Sequence, residues 1–382
     1  MTSPPPNADL GRRVETVLNA AVAEQRIVGA VAVIARRGEI VYRGAVGLAD
    51  REASRPMTVA TPFRLASLTK PFVAAAVLAL VERGTLALHQ PVTRWLPDFQ
   101  PRLTNQRPAI SIEQLMTHTS GLGYGFLEPA DGPYHLARVS DGLDQPGLSL
   151  AENLRRVASV PLRAMPGTAF NYSLSMDVLG AVLERAADAP LPDVIARFVT
   201  GPLKLTGLDF APRRPDELAA AYCDGHPPQL IRSGKPVPLY GGPLAVTFSI
   251  ERVFDPASYP SGGAGMVGTA EPFLRFLEAL RTRTLPTVSA ARIDAMLSDR
   301  IAPLTSEMLG EGVGYGYGAS VLRDPVAAGS SLGRGAIRWG GAYGHAWFID
   351  PTSGTSSVVL TNTAFEGMNG ALRDQVERAV ML

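Results

Sequence analysis

A serine and a lysine three residues apart begin the most apolar helical segment of the chain. Ser67 and Lys70 precede an apolar run at 72–81. Side chains three positions apart share one face of a helix, so the Ser67 hydroxyl and the Lys70 amine are predicted to be neighbours. A serine becomes a good nucleophile when a base removes its proton. A neutral lysine can be that base, and burial together with the helix dipole favours the neutral amine. The pair therefore predicts nucleophilic catalysis.

Two further motifs could complete such a site. Tyr172 lies just before a helical pattern at 174–183, and Trp339-Gly340-Gly341 lies within a predicted strand. Glycines inside a strand often mark a close approach of the backbone to a ligand or to another chain. Each motif has a plainer interpretation: a capping serine beside a solvated lysine, a tyrosine packed under a helix start, and a β-bulge. A Ser-x-x-Lys pattern arises by chance about 0.2 times in a chain of this composition, so its spacing alone is weak evidence.

Another serine lies in a pattern typical of a different hydrolase class. Residues 329–333 fit Gly-x-Ser-x-Gly around Ser331. In α/β-hydrolases that pattern lies between a strand and a helix, and an acid and a histidine follow it along the chain. Here a glycine-rich loop leads into a strand, and the only later histidine is His345. Ser331 is therefore rejected as the nucleophile in favour of Ser67.

The histidine, cysteine and charge content argues against several classes of function. The five histidines form no His-Glu-x-x-His pattern, and Cys223 is the only cysteine. We therefore expect no metal site and no intramolecular disulfide, and His118 is predicted to be a structural hydrogen-bonding residue. The 36 basic and 35 acidic residues give a net charge of +1. This balance offers no electrostatic reason to bind nucleic acid or an anionic membrane.

The N-terminal and apolar segments predict a cytoplasmic protein. Residues 1–7 have neither the basic region nor the apolar region of a signal peptide. The longest strongly apolar helical run, at 72–81, is shorter than the roughly 20 residues that cross a bilayer. We therefore expect no membrane partner.

Elements from both ends of the chain are predicted to form one sheet. A helical pattern at 9–25 precedes a hairpin of strands at 28–35 and 40–46. Further strands and a last helix are predicted at 316–322, 336–343, 345–349, 356–362 and 370–381. The predicted fold is α/β: an antiparallel sheet flanked by terminal helices, with a mainly helical insertion. In this division, 1–85 and 256–382 form the α/β domain and 86–255 form the helical domain.

Taken together, the three motifs resemble the serine β-lactamase and penicillin-binding superfamily, in the order that the superfamily has them. The resemblance covers almost the whole chain. Within the superfamily the chain is most similar to the family VIII carboxylesterases, the class C β-lactamase-like esterases. That likeness rests on Trp339-Gly340-Gly341 followed by Tyr343-Gly344-His345 and Trp347-Phe348.

The resemblance implies a site in a cleft between the sheet and the helical domain. Ser67 would attack an ester carbonyl, neutral Lys70 would act as the general base, and Tyr172 would relay the proton to the leaving alkoxide. The backbone N–H groups of Ser67 and Ala342 would form the oxyanion hole. Water would then hydrolyse the acyl-enzyme, and no metal or organic cofactor is expected.

Two departures from the β-lactamase pattern favour a small neutral ester as the substrate. β-Lactamases and D-Ala-D-Ala peptidases carry Tyr-x-Asn, where this chain has Leu174. Their Lys-Thr-Gly strand is replaced by Trp339, Gly340 and Gly341, which we expect to contact the substrate. The loss of an amide and a cation predicts a more apolar pocket. Other residues predicted to line its acyl part are Tyr124, Phe126 and Tyr134.

Other functions of the same fold stay open at this point. The main hypothesis is a serine carboxylesterase acting on short-to-medium acyl esters. A β-lactamase or D-Ala-D-Ala peptidase would share the nucleophile and cleave amides. An acyltransferase would pass the acyl group to an alcohol or an amine instead of water. A penicillin-sensor-like binder would be acylated once and stop.

Overall fold

An eight-stranded antiparallel sheet organises the chain, and it draws strands from both ends of the sequence. The computed structural model describes residues 6–239 and 241–382. The helices are α1 Pro6–Ala23, α2 Lys70–Glu82, α3 Ile112–Met116, α4 Pro133–Leu136, α5 Leu150–Ser159, α6 Ser175–Ala187, α7 Leu191–Ile195, α8 Ala270–Arg281, α9 Ala290–Met296, α10 Glu366–Asn369 and α11 Ala371–Met381. The strands are β1 Gly29–Arg36, β2 Glu39–Asp50, β3 Arg55–Pro56, β4 Phe63–Arg64, β5 Leu208–Asp209, β6 Tyr222–Cys223, β7 Gln229–Leu230, β8 Pro236–Pro238, β9 Ala245–Thr247, β10 Val267–Gly268, β11 Val313–Tyr315, β12 Ser320–Leu322, β13 Ile337–Gly341, β14 His345–Asp350 and β15 Thr355–Thr361.

The order of strands in the sheet confirms that both ends of the chain build it. The order is β11-β12-β13-β14-β15-β1-β2-β3, and β1 lies between β15 and β2. The hairpin between β1 and β2 turns at Arg37 and Gly38, whose φ angles are +54° and +92°. Positive φ at both central residues matches the right-handed twist of a two-residue hairpin.

The two faces of the sheet bury separate apolar cores because successive side chains of a strand point to opposite faces. Val31 and Val33 of β1 face a large core that includes α2 and α8. Ala32 and Ile34 face a second core that includes residues of α1 and α11. The predicted antiparallel sheet flanked by terminal helices is therefore confirmed.

Two parts of the predicted element pattern differ from the structure. The strand predicted at 316–322 is present only at 320–322, as β12, because the backbone turns between Gly316 and Gly318; Gly318 has a φ of +87°. The α-helices of the insertion and the turn of π-helix that follows them end at residue 200, and only short 3-10 turns at 215–217 and 251–254 come after them. From 208 to 247 the insertion forms short strand pairs instead.

Two expectations lie beyond what this fold tests. The division at 85/86 and 255/256 stays a prediction. The segment that is predicted not to be a signal peptide is 1–7, and residues 1–5 of it lie outside the described residues. Within the described part, none of the helices combines the length and the apolar character needed to cross a bilayer.

Candidate active site

Ser67 lies in a short 3-10 helix, Ala66–Thr69, that leads directly into α2. The residue before it, Ala66, is buried and has a φ of +47°, in the left-handed region that a residue with a Cβ adopts only under constraint. Met266, which directly precedes β10, holds this backbone conformation through hydrogen bonds on both sides of the serine. The Leu65 N–H donates to the Met266 carbonyl at 2.8 Å, and the Met266 N–H donates to Thr69 Oγ1 at 3.0 Å.

Lys70 is the first residue of α2 and is only 1% exposed. Its Nζ lies 2.9 Å from Ser67 Oγ and donates to the Gly263 carbonyl at 2.7 Å. The amine also lies over two aromatic rings, 4.7 Å from the centroid of Tyr172 and 5.5 Å from that of Tyr124. The predicted neighbourhood of Ser67 and Lys70 is therefore present in the structure.

The hydroxyl of Tyr172 lies 2.7 Å from Ser67 Oγ, on the loop just before α6. The indole Nε1–H of Trp339 points to the same phenolic oxygen at 3.4 Å. The rings of Tyr172 and Trp339 are tilted with centroids 5.3 Å apart. The structure therefore places residues from three distant parts of the sequence around one serine oxygen.

His118 holds the loop that carries Tyr172. Its carbonyl accepts the Asn171 N–H at 2.8 Å, and its Nδ1 accepts the Ser173 N–H at 3.2 Å. Since Nδ1 is an acceptor, the ring proton of the neutral imidazole lies on Nε2. Burial, together with the charge of nearby Lys70, holds the pKa of His118 well below its usual value. The predicted structural role of His118 agrees with these contacts.

A cavity of about 360 Å³ opens above the serine. Six of the predicted site residues line it: Ser67, Tyr172, Trp339, Gly340, Ala342 and Tyr124. Phe126 lines it as well, and the remaining wall is mostly aliphatic or aromatic. Its other apolar residues are Leu127, Leu143, Leu239, Val246, Ala264, Met308, Leu309, Val313, Phe365 and Met368.

Two predicted substrate contacts, Tyr134 and Gly341, are absent from the cavity wall. Tyr134 is buried, and its hydroxyl accepts the Gly123 N–H at 2.7 Å. Its side chain therefore stabilises the backbone at Gly123 and does not line the cavity. A Cβ at Gly341 would lie 2.6 Å from the Leu65 carbonyl. Gly341 is therefore required for the close approach of β13 to the segment before Ser67.

The cavity is more polar than the sequence motif indicates. Arg338 and Arg373 both contribute to its wall, so it is not without cations. Each guanidinium is already engaged by an acid: Arg338 contacts Glu377 at 3.0 Å, and Arg373 contacts Asp374 at 2.9 Å. Arg338 immediately precedes the Trp339-Gly340-Gly341 motif in β13, and the sequence pattern assigns it no role in the cavity.

Several residues that shape the site received no role from the sequence motifs. The Gly263 carbonyl is a backbone group, and its turn is held by Ser261, whose hydroxyl donates to Asp177 Oδ1 at 2.6 Å. Asp141 lies in the cavity wall and accepts the N–H groups of Gly125 and Phe126 at 2.8 and 3.0 Å. Burial, with the nearby charge of Asp144, raises the pKa of Asp141 well above its usual value.

Ser331 lies far from any such arrangement. It is exposed, in a loop that leads into β13 instead of a helix. Within residues 6–239 and 241–382, no cluster of three or more histidine, cysteine, aspartate or glutamate side chains is arranged to hold a metal ion.

Comparisons with known proteins agree with this geometry. Residues 14–381 match the family model described as Beta-lactamase. The chain is 51% identical to Esterase EstB from Burkholderia gladioli over 378 residues, which cover 97% of this chain and 95% of that protein. It is 26% identical to the monacolin J acid methylbutanoyltransferase of Aspergillus terreus, covering 91% of this chain and 89% of that one.

A solved structure of similar size superposes closely on the fold. The structure of EstCE1, described as a hydrolase with promiscuous acyltransferase activity, has a TM-score of 0.95 and 42% sequence identity. The superposition covers 98% of this chain and 99% of that chain. These comparisons confirm the prediction of a serine ester hydrolase with a β-lactamase-like fold. The chain belongs to the beta-lactamase family.

Proposed function

We propose that the chain is a serine carboxylesterase that hydrolyses short-to-medium acyl esters through an acyl-enzyme on Ser67. The observation that carries the proposal is the convergence of two groups on one oxygen. Ser67 Oγ lies 2.9 Å from Lys70 Nζ and 2.7 Å from the Tyr172 hydroxyl, at the base of the cavity. A nucleophile within hydrogen-bond reach of its base is the arrangement that nucleophilic catalysis requires.

The net result of the proposed acylation step is that the Ser67 proton reaches the leaving alkoxide and that the carbonyl carbon exchanges its bond to the alkoxide for a bond to Ser67 Oγ. Ser67 Oγ attacks the ester carbonyl while neutral Lys70 takes the hydroxyl proton. The N–H groups of Ser67 and Ala342 stabilise the oxyanion that forms. As the carbon–alkoxide bond breaks, Tyr172 gives its proton to the alkoxide and receives one from Lys70. Water then attacks the acyl carbon with the same groups acting in reverse, and releases the acid and Ser67.

The lining of the cavity supports an uncharged substrate. Leu174, which replaces the asparagine of Tyr-x-Asn, is completely buried and offers no polar group to a ligand. Trp339 presents an aromatic face, and the two cavity arginines are paired with Glu377 and Asp374. A substrate carboxylate would lose hydration there without an unpaired cation in exchange, which is costly. The cavity volume of about 360 Å³ suits acyl groups of short or medium length.

The similar proteins also support ester chemistry, and one observation favours a second activity. The relative of 51% identity is described as an esterase. The neighbour of 42% identity is described as having promiscuous acyltransferase activity, and the relative of 26% identity as a methylbutanoyltransferase. Transfer of the acyl group to an alcohol is therefore the second candidate function. The cytoplasmic location stays a prediction.

A comparison of substrates on one purified preparation tests the proposal. We expect kcat/KM for p-nitrophenyl butyrate to exceed that for nitrocefin by orders of magnitude, with activity decreasing from butyrate to laurate. Ser67→Ala is the control, since it leaves the cavity wall intact and removes the nucleophile. Equal or higher efficiency on nitrocefin would favour the β-lactamase alternative.

The time course distinguishes the remaining alternatives. Continued steady-state release of p-nitrophenol identifies a catalyst, whereas a single stoichiometric burst identifies a sensor. Added butanol separates hydrolysis from transfer, because only transfer produces the butyl ester. A butyl ester yield that exceeds acid formation in dilute butanol would make acyl transfer the main activity.

A further inference from the structure

We infer that a second cavity, behind the segments of the proposed oxyanion hole, binds a small organic carboxylate with an apolar body. This cavity has a volume of about 350 Å³ and is distinct from the one above Ser67, although Leu143 and Ala264 contribute to both. Arg64, Arg252 and Tyr343 are among the polar residues of its wall. Nothing in the proposed ester hydrolysis uses this cavity.

Two arginines of this wall are buried without an ion pair. Arg64 donates to the carbonyls of Ala219 and Ile250 at 3.1 and 3.0 Å. Arg252 donates to the carbonyls of Asp144 and Tyr259 at 3.0 and 2.8 Å. These arginines are 9% and 8% exposed, and among the described residues neither has a carboxylate within ion-pair distance.

A buried cation with only neutral partners creates a preference for an anion. Nε of Arg64 has no hydrogen-bond partner in the described part of the chain. Burial lowers the pKa of Arg64, and the charge of nearby Glu251 opposes this effect without offsetting it, which reflects the cost of holding the guanidinium charge away from water. A guanidinium pairs well with a carboxylate, which accepts its N–H groups in a matching planar geometry.

Arg64, Arg252 and Tyr343 all line this cavity, so both guanidinium groups belong to residues of one wall. Two acids, Asp209 and Asp255, also line the cavity, but both are partly exposed, so water screens their charges more than those of the buried arginines. Asp209 accepts the Phe210 N–H at 2.8 Å, and Asp255 accepts the Ala257 N–H at 2.9 Å and the Ser258 hydroxyl at 3.1 Å.

The apolar residues of the wall favour an anion that also carries an apolar group. Phe210, Val253, Phe254 and Met266 line the cavity, and the ring of Phe254 is 47% exposed at 5.7 Å from the Arg64 guanidinium carbon. A large hydrated anion such as phosphate gains nothing from such a wall. A carboxylate with an aliphatic or aromatic body satisfies both the charge and the surface.

Residues from both backbone segments of the proposed oxyanion hole line this cavity. Arg64 lies three residues before Ser67, and its carbonyl accepts the Nε2–H of His345 at 2.7 Å. Tyr343 directly follows Ala342. A carboxylate bound here would therefore touch Tyr343, which adjoins Ala342, and Arg64, which lies three residues from Ser67.

Isothermal titration of the Ser67→Ala protein with octanoate tests the inference, with octanamide and inorganic phosphate as matched probes. We expect octanoate to bind with a stoichiometry of one, and octanamide and phosphate to bind at least about tenfold more weakly. Ala211→Trp should reduce octanoate affinity about tenfold or more, since Ala211 is exposed and lines this cavity. Met308→Trp is the control, because Met308 is half-exposed at the catalytic cavity.

Each arm has an outcome that overturns the inference. Equal binding of octanamide would remove the role of charge, and preferred binding of phosphate would indicate a site for inorganic anions. Loss of octanoate binding in Met308→Trp, with no change in Ala211→Trp, would place the acid in the catalytic cavity. Arg252→Met provides a second test of charge. Octanoate affinity is measured on Arg252→Met protein whose fold has been verified by circular dichroism. Unchanged octanoate affinity in that variant would contradict the proposal. These results do not depend on esterase activity.

Discussion

The Nζ of Lys70 lies 2.7 Å from the carbonyl oxygen of Gly263. A neutral amine has two N–H donors and one lone pair, so an N–H that is committed to this carbonyl fixes the direction of the others. The lone pair can then face Ser67 Oγ at 2.9 Å. In the proposed mechanism, this backbone contact orients the amine of Lys70 toward Ser67.

Replacement of Lys70 tests whether it acts as a base. Lys70→Arg keeps a positive charge but supplies no neutral base at accessible pH. We expect kcat for p-nitrophenyl butyrate to fall by about 10²–10⁴, the usual contribution of a general base. Lys70→Met should fall by a similar factor. If the arginine variant retained most of kcat, lysine would act only through its charge.

Replacement of two serines tests the identity of the nucleophile. Ser67→Ala should abolish ester hydrolysis, because no other hydroxyl lies within reach of both Lys70 and Tyr172 in the described structure. Ser331→Ala should keep kcat/KM near wild type, because Ser331 is exposed on a loop. Mass spectrometry after reaction with an alkylphosphonate gives an independent measurement. Modification of Ser331 instead of Ser67 would contradict the assignment.

Two aromatic substitutions separate proton transfer from positioning. Tyr172→Phe removes the hydroxyl 2.7 Å from Ser67 and should lower kcat by about 10²-fold or more. Trp339→Phe removes only a long donor contact of 3.4 Å to that hydroxyl and should lower kcat by less than about tenfold. Its main effect should be on KM, since Trp339 lines the cavity. The reverse order of the two effects on kcat would assign the larger role to the tryptophan.

The buried histidines predict how stability depends on pH. Burial lowers the pKa of His345 to about 4, although its Nε2–H donates to the Arg64 carbonyl. Below pH 6.5 the unfolded chain binds a proton that folded His345 excludes, so acidification destabilises the fold. His345 should contribute about 2 kcal/mol of this loss between pH 7 and pH 5.

His345→Gln isolates that contribution, because a glutamine amide can still donate to the carbonyl and does not titrate. Urea unfolding at pH 7 and pH 5 should show a smaller loss of stability in the variant than in the wild type. Burial raises the pKa of Asp224 to about 6, so protonation of this carboxyl stabilises the fold on acidification. The contribution is the same in both proteins and does not affect the difference between them. An identical pH dependence of the two proteins would contradict the assignment.

The sequence predicts the side-chain part of the site better than the backbone part. The spacing of Ser67 and Lys70 predicts that their side chains are neighbours, because residues three apart share one face of a helix. Tyr172 and Trp339 could be associated with them only through the family resemblance, since local periodicity contains no information about distant contacts. The Gly263 carbonyl was not predictable, because every residue carries such a group.

Errors in the prediction also have physical causes. The strand predicted at 316–322 is shorter than expected because glycines at 316 and 318 allow a turn. Tyr134 follows the same loop as Tyr124 in the sequence, which predicts a place in the pocket, yet its hydroxyl accepts the Gly123 N–H. Arg338 receives no role from the sequence because the Trp339-Gly340-Gly341 residues that follow it predict an apolar wall.

The pairing of β1 with β15 has a consequence for folding during synthesis. Ala30 pairs with Thr361, and Ser67 depends on Met266 for the hydrogen bonds that flank it. The ribosome therefore releases the strand and the nucleophile segment long before their partners exist. Such high contact order slows folding and leaves the apolar strand at 29–36 exposed in the meantime. We expect nascent chains that end before residue 355 to require chaperone protection, even though they already contain Ser67, Lys70, Tyr172 and Trp339.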